Sequence, residues 1–265
     1  MDLQLQNKII IVSGGAKGIG EGIVKLLAAE GAMPIIIGKN EDDNLKTVEA
    51  IKSTGGKCYQ VAAELTKPEE CKKAIEQIMN EFGTIDGLVN NAGVNDGVGL
   101  EHSDYESFMA SLHRSLIHYY LLAHYALPAL KISKGSIVNI SSKTSETNQG
   151  STSAYAASNG GKNALTREWA VELLKYGIRV NAIVVAEIRA RLYEQQTNID
   201  PEKKLKEITS KPLLKNKMTT IEEMANVVAF LLSEKSSHTT GQLIHVDGSY
   251  VHLDRAMANA EVISV

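Results

Sequence analysis

Residues 8–20 read KIIIVSGGAKGIG, and residues 21–31 continue EGIVKLLAAEG. The run from Ile9 to Val12 is apolar at every position. A strand apolar on both faces is covered on both faces, which marks a parallel sheet between two layers of helices. The strand runs straight into Ser13–Gly20, where Gly14, Gly18 and Gly20 have G-x-x-x-G-x-G spacing. Glycines there let the chain turn tightly and let backbone N–H groups approach a phosphate, and the helix expected over 18–31 adds its positive dipole end. A glycine-rich run alone says little. Placed at the first strand–helix junction, it reads as a pyrophosphate cradle with Gly14, Lys17, Gly18, Ile19 and Gly20 as candidate contacts.

The same rhythm repeats outward. MPIII (33–37), KCYQVAA (57–63), IDGLVNNAG (85–93), GSIVNISS (135–142), GIRVNAIVV (177–185) and GQLIHVDG (241–248) read as strands. Helices are expected over about 42–54, 68–82, 104–131, 153–175 and 220–233. Repeated β-α-β order with right-handed crossovers gives a doubly wound, Rossmann-like α/β sheet. With no linker or repeat, residues 1–265 are expected to form one domain. The charged stretch 189–217 breaks the rhythm and is expected to be a substrate loop or lid.

The chain has 265 residues, 43% of them hydrophobic, enough for one sizeable core. A net charge of −3 offers no basic field for nucleic acid or an anionic membrane. The longest apolar runs are strand-sized, and residues 1–8, MDLQLQNK, lack a signal-peptide core. Cys58 and Cys71 form no disulfide framework. A cytoplasmic protein with reduced thiols is expected. His102, His113, His118 and His124 lack metal-ligand spacing with carboxylates, so no metal is expected.

An acidic residue closing the second strand would bind the adenosine ribose of NAD. Here Ile37-Gly38-Lys39-Asn40 stands there, with Glu41 and Asp42 only afterwards. Lys17 and Lys39 would together pair with a 2′-phosphate, so NADP is expected over NAD.

The glycine loop, Asn90-Asn91-Ala92-Gly93 after the fourth strand, the I-V-N-I-S-S strand ending at Ser142, Tyr155, and R-V-N-A at 179–182 occur in an order and spacing that resemble the short-chain dehydrogenase/reductase family across essentially the whole chain. NDGVGLE (95–101), SLIHYYLLAHYALPAL (115–130), ALTREWAVEL (164–173), SSHTTGQ (236–242) and VDGSYVHLDR (246–255) resemble the bacterial sugar dehydrogenases of that family, those acting on L-fucose in particular. Such enzymes oxidise the anomeric carbon of an aldopyranose to a lactone and pass hydride to NAD(P).

The resemblance implies Tyr155 as acid/base and Ser142 as the partner of the substrate oxygen. It places Glu64 and Leu65 near the adenine, Asn91, Ala92 and Gly93 along the dinucleotide, and backbone groups of Ile188 at the nicotinamide amide. A free phenol has a pKa of about 10 and is a poor base at neutral pH unless its anion is stabilised. The family stabilises it with a lysine four residues on, and completes a water relay with an Asn on the fourth helix. This chain has Asn159 and Ser115 instead. Asn159 shares a helical face with Tyr155 and can bind ribose hydroxyls, but carries no charge. Lys162 lies roughly 10 Å along the axis and is expected not to reach back. A lost cation costs about one to three pKa units at the phenol. Either the proton takes another path, or the chain is a catalytically weak NAD(P)-binding sensor or scaffold. A reductase of another carbonyl or secondary alcohol is a third reading.

Where the family has Pro-Gly after the sixth strand, this chain has Val185-Ala186-Glu187. Asn95, Gln149 and Glu187 are the candidate sugar contacts. Leu116, Tyr120, Leu121, Leu127, Ala164, Leu165, Trp169 and Leu173 place apolar residues on more than one stripe of the two long helices. The expected assembly is a homodimer or homotetramer paired through those helices.

Overall fold

The computed structural model describes residues 2–186, 188 and 214–253. Glu187 and the 189–213 part of the expected lid lie outside the described residues. Seven strands form one all-parallel sheet: β1 (Ile9–Ser13), β2 (Met33–Gly38), β3 (Tyr59–Ala62), β4 (Gly87–Asn90), β5 (Ser136–Ser142), β6 (Arg179–Val185) and β7 (Leu243–Val246). Their order is β3-β2-β1-β4-β5-β6-β7. The chain starts in the middle, winds outward to β3, then crosses to β4 and winds the other way. Connections after β1 and β4 therefore leave in opposite directions, opening a crevice at the carboxyl ends of these two strands.

Alternate residues of one strand feed opposite layers. Ile10, Val12, Ile36, Val89, Val138 and Ile183 pack under helix α1 (Gly18–Ala29) and the helix over Ile221–Leu232. Ile9, Ile11, Ile35, Ile37, Leu88 and Ile137 pack on the other face. That second layer is α3 (Pro68–Phe82), α5 (His118–Ser133) and α6 (Ser153–Glu172). Each fully buried aliphatic side chain contributes roughly 1.5–3 kcal/mol relative to exposure. The continuous apolar strands of the sequence are thus two interleaved half-cores, and the expected doubly wound α/β fold is what the structure shows.

Local chemistry sets the helix ends. Asn40 accepts from the Asp43 N–H and starts α2 (Glu41–Ser53). Pro68 occupies the first turn of α3, where its missing N–H costs nothing, and Gly83 (φ 71°) ends it. Thr220 and Glu223 cap each other reciprocally at the start of α7 (Ile221–Leu232).

The single helix expected over 104–131 is instead α4 (Tyr105–Leu112), a π-turn over His113–Ile117, and α5. The wider turn lets Ser115 serve the chain after β4: its hydroxyl donates to the Val94 carbonyl at 3.1 Å and accepts from the Val94 N–H at 3.4 Å. Such π-bulges are often found at functional sites. Leu116 packs into the notch at Gly161, where a Cβ would come within 2.9 Å of it.

Of the apolar positions proposed for pairing subunits, Trp169 and Leu173 are buried in the second half-core, with Leu121, Leu127 and Leu165 packed against it. Their apolar character is explained within one chain. Tyr120, Val171 and Leu174 remain exposed.

Candidate active site

Ser13 closes β1, and its hydroxyl accepts from the backbone N–H groups of Asn91 (2.9 Å) and Ala92 (3.1 Å). The Asn91 carboxamide donates back to the carbonyls of Ser13 (2.9 Å) and Gly14 (3.2 Å). The turn after β4 is thereby stitched to the turn after β1 across the crevice. Gly14 and Gly18 hold φ of 65° and 56°, a region natural to glycine. A Cβ on Gly20 would lie 2.1 Å from the Gly14 carbonyl oxygen. Thr47 braces the loop through the Ala16 carbonyl. Helix α1 starts at Lys17 without a side-chain cap, so its first-turn N–H groups lack the usual side-chain acceptor. A narrow glycine cradle before an uncapped helix end fits the pyrophosphate of a dinucleotide.

Two strands further along, the end of β5 is joined to the start of α6. Ser142 is buried, and its hydroxyl accepts from the Thr144 N–H at 3.3 Å. Asn159 lies fully buried one turn after half-buried Tyr155. Its carboxamide nitrogen donates to the Tyr155 carbonyl (2.8 Å) and to Thr144 Oγ1 (3.4 Å). Ser145 donates to the Ser142 carbonyl and accepts from Asn163. Ser142, Tyr155 and Asn159 are therefore neighbours in one hydrogen-bonded corner at the carboxyl end of the sheet.

Lys162 meets Asn159, the position where the family lysine would stand. Its ammonium reaches back one turn and donates to Asn159 Oδ1 at 3.2 Å. Helical Cα–Cβ bonds tilt toward the N-terminus, so a long side chain at 162 covers the turn before it. The group is buried and sits 4.5 Å from the Tyr119 ring centroid. Burial pushes its pKa down to about 7. A Cβ on Gly93 would lie 3.7 Å from Ser115 Oγ and 3.8 Å from Lys162 Nζ, which puts both beside the Asn90–Gly93 turn. The Tyr119 hydroxyl donates to the Ile140 carbonyl, and its ionisation is opposed by burial and by the neighbouring Tyr155. His118 spans the carbonyls of His113 and Ala92 at 3.1 Å each. Burial lowers its pKa to about 4.

The chain matches the family model described as Enoyl-(Acyl carrier protein) reductase over residues 14–250. It is a short-chain dehydrogenase/reductase. Members of this family bind NAD(P). This reductase family member is 33% identical to 3-oxoacyl-[acyl-carrier-protein] reductase FabG of Thermotoga maritima over 94% of this chain and all of the relative. It is 30% identical to L-fucose dehydrogenase of Bos taurus, covering 98% and 96% of the two chains. Among solved structures, Cj0485 dehydrogenase is 41% identical with a TM-score of 0.90, covering 97% of this chain and 98% of that one. Aldohexose dehydrogenase of Thermoplasma acidophilum is 29% identical with a TM-score of 0.85, covering 96% and 97%.

Other expected contacts of this dehydrogenase/reductase fall unevenly. Lys17 is held by Asp43 at 2.7 Å, so half of the two-lysine arrangement already has a counter-charge, while Lys39 is exposed. Glu64 turns one carboxylate oxygen onto the Thr66 N–H and hydroxyl, beside buried Leu65. Ile188 is buried and bridges to Thr219. Asn95 is exposed on the loop after β4, whose Val98 carbonyl accepts from the Ala154 N–H and brings that loop to the start of α6. Asp96 anchors the same loop through Arg114 and Ser111. Gln149 is exposed on the loop between Ser142 and Tyr155, which Glu146 ties to His245 at 3.0 Å.

Sequence reasoning gave no individual role to Ser13, Thr144 and Tyr119, and weighed His118 only as a metal ligand. Lys162 did carry a signal: positions 155, 159 and 162 return to one face of α6. Burial pushes the Cys58 and Cys71 thiols up to about 12 and about 11, which disfavours a thiolate nucleophile. Among the described residues no cluster of three or more His, Cys, Asp or Glu is placed to hold a metal, and no helix is long and apolar enough to cross a membrane.

Proposed function

We propose that this protein oxidises an aldopyranose such as L-fucose to its lactone, with NADP or NAD as hydride acceptor. The observation that carries the reading is the corner where Ser142, Tyr155 and Asn159 meet beside the dinucleotide cradle. A nicotinamide, when bound, supplies the hydride acceptor. Tyr155 takes the hydroxyl proton while the anomeric C–H leaves as hydride, and Ser142 donates a hydrogen bond to the substrate oxygen. Asn159, its carboxamide spent within the protein, braces this corner through Thr144 and the Tyr155 carbonyl, and Ser115 holds the chain after β4 in place. Lys39 favours a 2′-phosphate and hence NADP. Exposed Asn95 and Gln149 on the loops flanking this corner suit a polyhydroxylated substrate, as does Glu187 by its place in the sequence. The exposed apolar residues of α5, α6 and the turn after α6 support pairing as a homodimer or homotetramer.

A carbonyl-reductase reading is favoured by the similarity to 3-oxoacyl-[acyl-carrier-protein] reductase. A nucleotide sensor is favoured by the uncharged Asn159. The test is a screen of aldopyranoses and β-ketoacyl thioesters with both nucleotides from pH 7 to 10. It compares wild type, Tyr155→Phe and Asn159→Lys. Sugar turnover falling about 10²–10⁴-fold in Tyr155→Phe is expected. Turnover of ketoacyl substrates alone overturns the sugar assignment. Nucleotide binding without turnover in any protein supports the sensor.

A further inference from the structure

A fully buried ammonium without a carboxylate is costly, and native chains seldom keep one without a use. Lys162 is such a group: among the described residues it makes no ion pair. It donates to the Asn159 carboxamide oxygen and lies over the face of Tyr119. A methionine would fill the same space without the desolvation penalty. The carboxamide that Lys162 grips is itself bonded to the Tyr155 carbonyl and to Thr144, whose N–H is bonded to Ser142. The ammonium therefore stands one carboxamide away from the backbone that carries Tyr155 and from the Thr144 link to Ser142.

We propose that Lys162 is the cation of the Tyr155 site, acting through the Asn159 carboxamide to stabilise the phenolate. It is a positioning residue. Its Nζ polarises the Asn159 amide and places positive potential on the first turns of α6, where a residue at 159 carries no charge of its own. The titratable groups facing Lys162 are His118 and Tyr119 from α5, and Tyr119 in turn neighbours Tyr155. Neutral His118 and the un-ionised Tyr119 supply no counter-charge, and with its pKa pushed down to about 7 Lys162 carries charge in the phenol's range only as the partner of a forming phenolate. An ionising phenol would strengthen the ammonium's hold on its proton, and the two groups titrate as a coupled pair.

This inference rests on Tyr155 being the acid/base of the proposed function, and it is tested without substrate or nucleotide. Tyrosinate absorbance is followed against pH in wild type and in Lys162→Met, and the curve of the Tyr155→Phe counterpart is subtracted from each to isolate the phenol of residue 155. Its ionisation is expected one to three pH units higher in Lys162→Met, the range for loss of a nearby cation. Asn159→Lys in the Lys162→Met background is expected to restore the lower value. Lys162→Gln replaces Lys162→Met if circular dichroism shows the latter unfolded. Coincident curves for Tyr155 with and without the Lys162 charge overturn the proposal. A shifted phenol in a protein that turns over no sugar leaves the Lys162 role standing and sinks the sugar assignment instead.

Discussion

The Asn91 carboxamide nitrogen lies 2.9 Å from the Ser13 carbonyl oxygen, clamping the ends of β1 and β4 together at the point where the sheet reverses its order. The crevice is thus a built feature, held by side-chain-to-backbone bonds on both sides.

Asn91→Ala removes two such bonds, each contributing about 0.5–1.5 kcal/mol. Chemical denaturation is expected to show a loss of about 1–3 kcal/mol, and fluorescence titration at least tenfold weaker nucleotide binding. Binding at wild-type strength would mean that the clamp does not shape the cradle.

Gly20→Ala places a carbon where the Gly14 carbonyl already is, with Asn91 Nδ2 2.6 Å away. Backbone must move, so nucleotide affinity is expected to fall by 10²-fold or more. Gly55→Ala serves as a control, since a Cβ there meets nothing within 4 Å, although its φ of 82° costs some stability. Equal affinities for the two variants would remove the cradle argument.

Asp43 holds Lys17, so nucleotide choice is expected to respond to both. Asp43→Asn frees the ammonium and should raise NADP affinity relative to NAD by roughly two- to fivefold, in keeping with an exposed ion pair of at most about 1 kcal/mol. Lys39→Ala should move the ratio the other way. Isothermal titration with both nucleotides reads the two effects, and an unmoved ratio would dismiss both lysines.

Two buried bases give stability a defined pH dependence. Lys162 is depressed in the fold to about 7 from 10.5, so the unfolded chain binds more protons between those values and stability rises with pH across that window. His118 is depressed to about 4 from 6.5, so its contribution is lost as pH falls from about 6.5 to about 4. Each slope is at most about 1.4 kcal/mol per pH unit. Urea unfolding of Lys162→Met at pH 7, 8 and 9 is expected to lack the rise shown by wild type, and a parallel rise in the variant would contradict the burial.

The composition of β1 and β2, apolar at consecutive positions, already dictated a covered parallel sheet, and the glycine spacing at 14, 18 and 20 marked where its ligand crevice lies. Those signals are local, carried by period and turn chemistry, so they survive without coordinates. The break in the helix at His113–Ile117 left no such trace, because a π-turn is stabilised by what it reaches, here Val94 and Ala92, residues some twenty positions away. Likewise the motif around Tyr155 showed only that a charge was missing at 159. Where the charge went was decided by packing: the tilt of a helical side chain, the wall of Tyr119 and the oxygen of Asn159 together hold the Lys162 ammonium at a depth that residue order does not reveal.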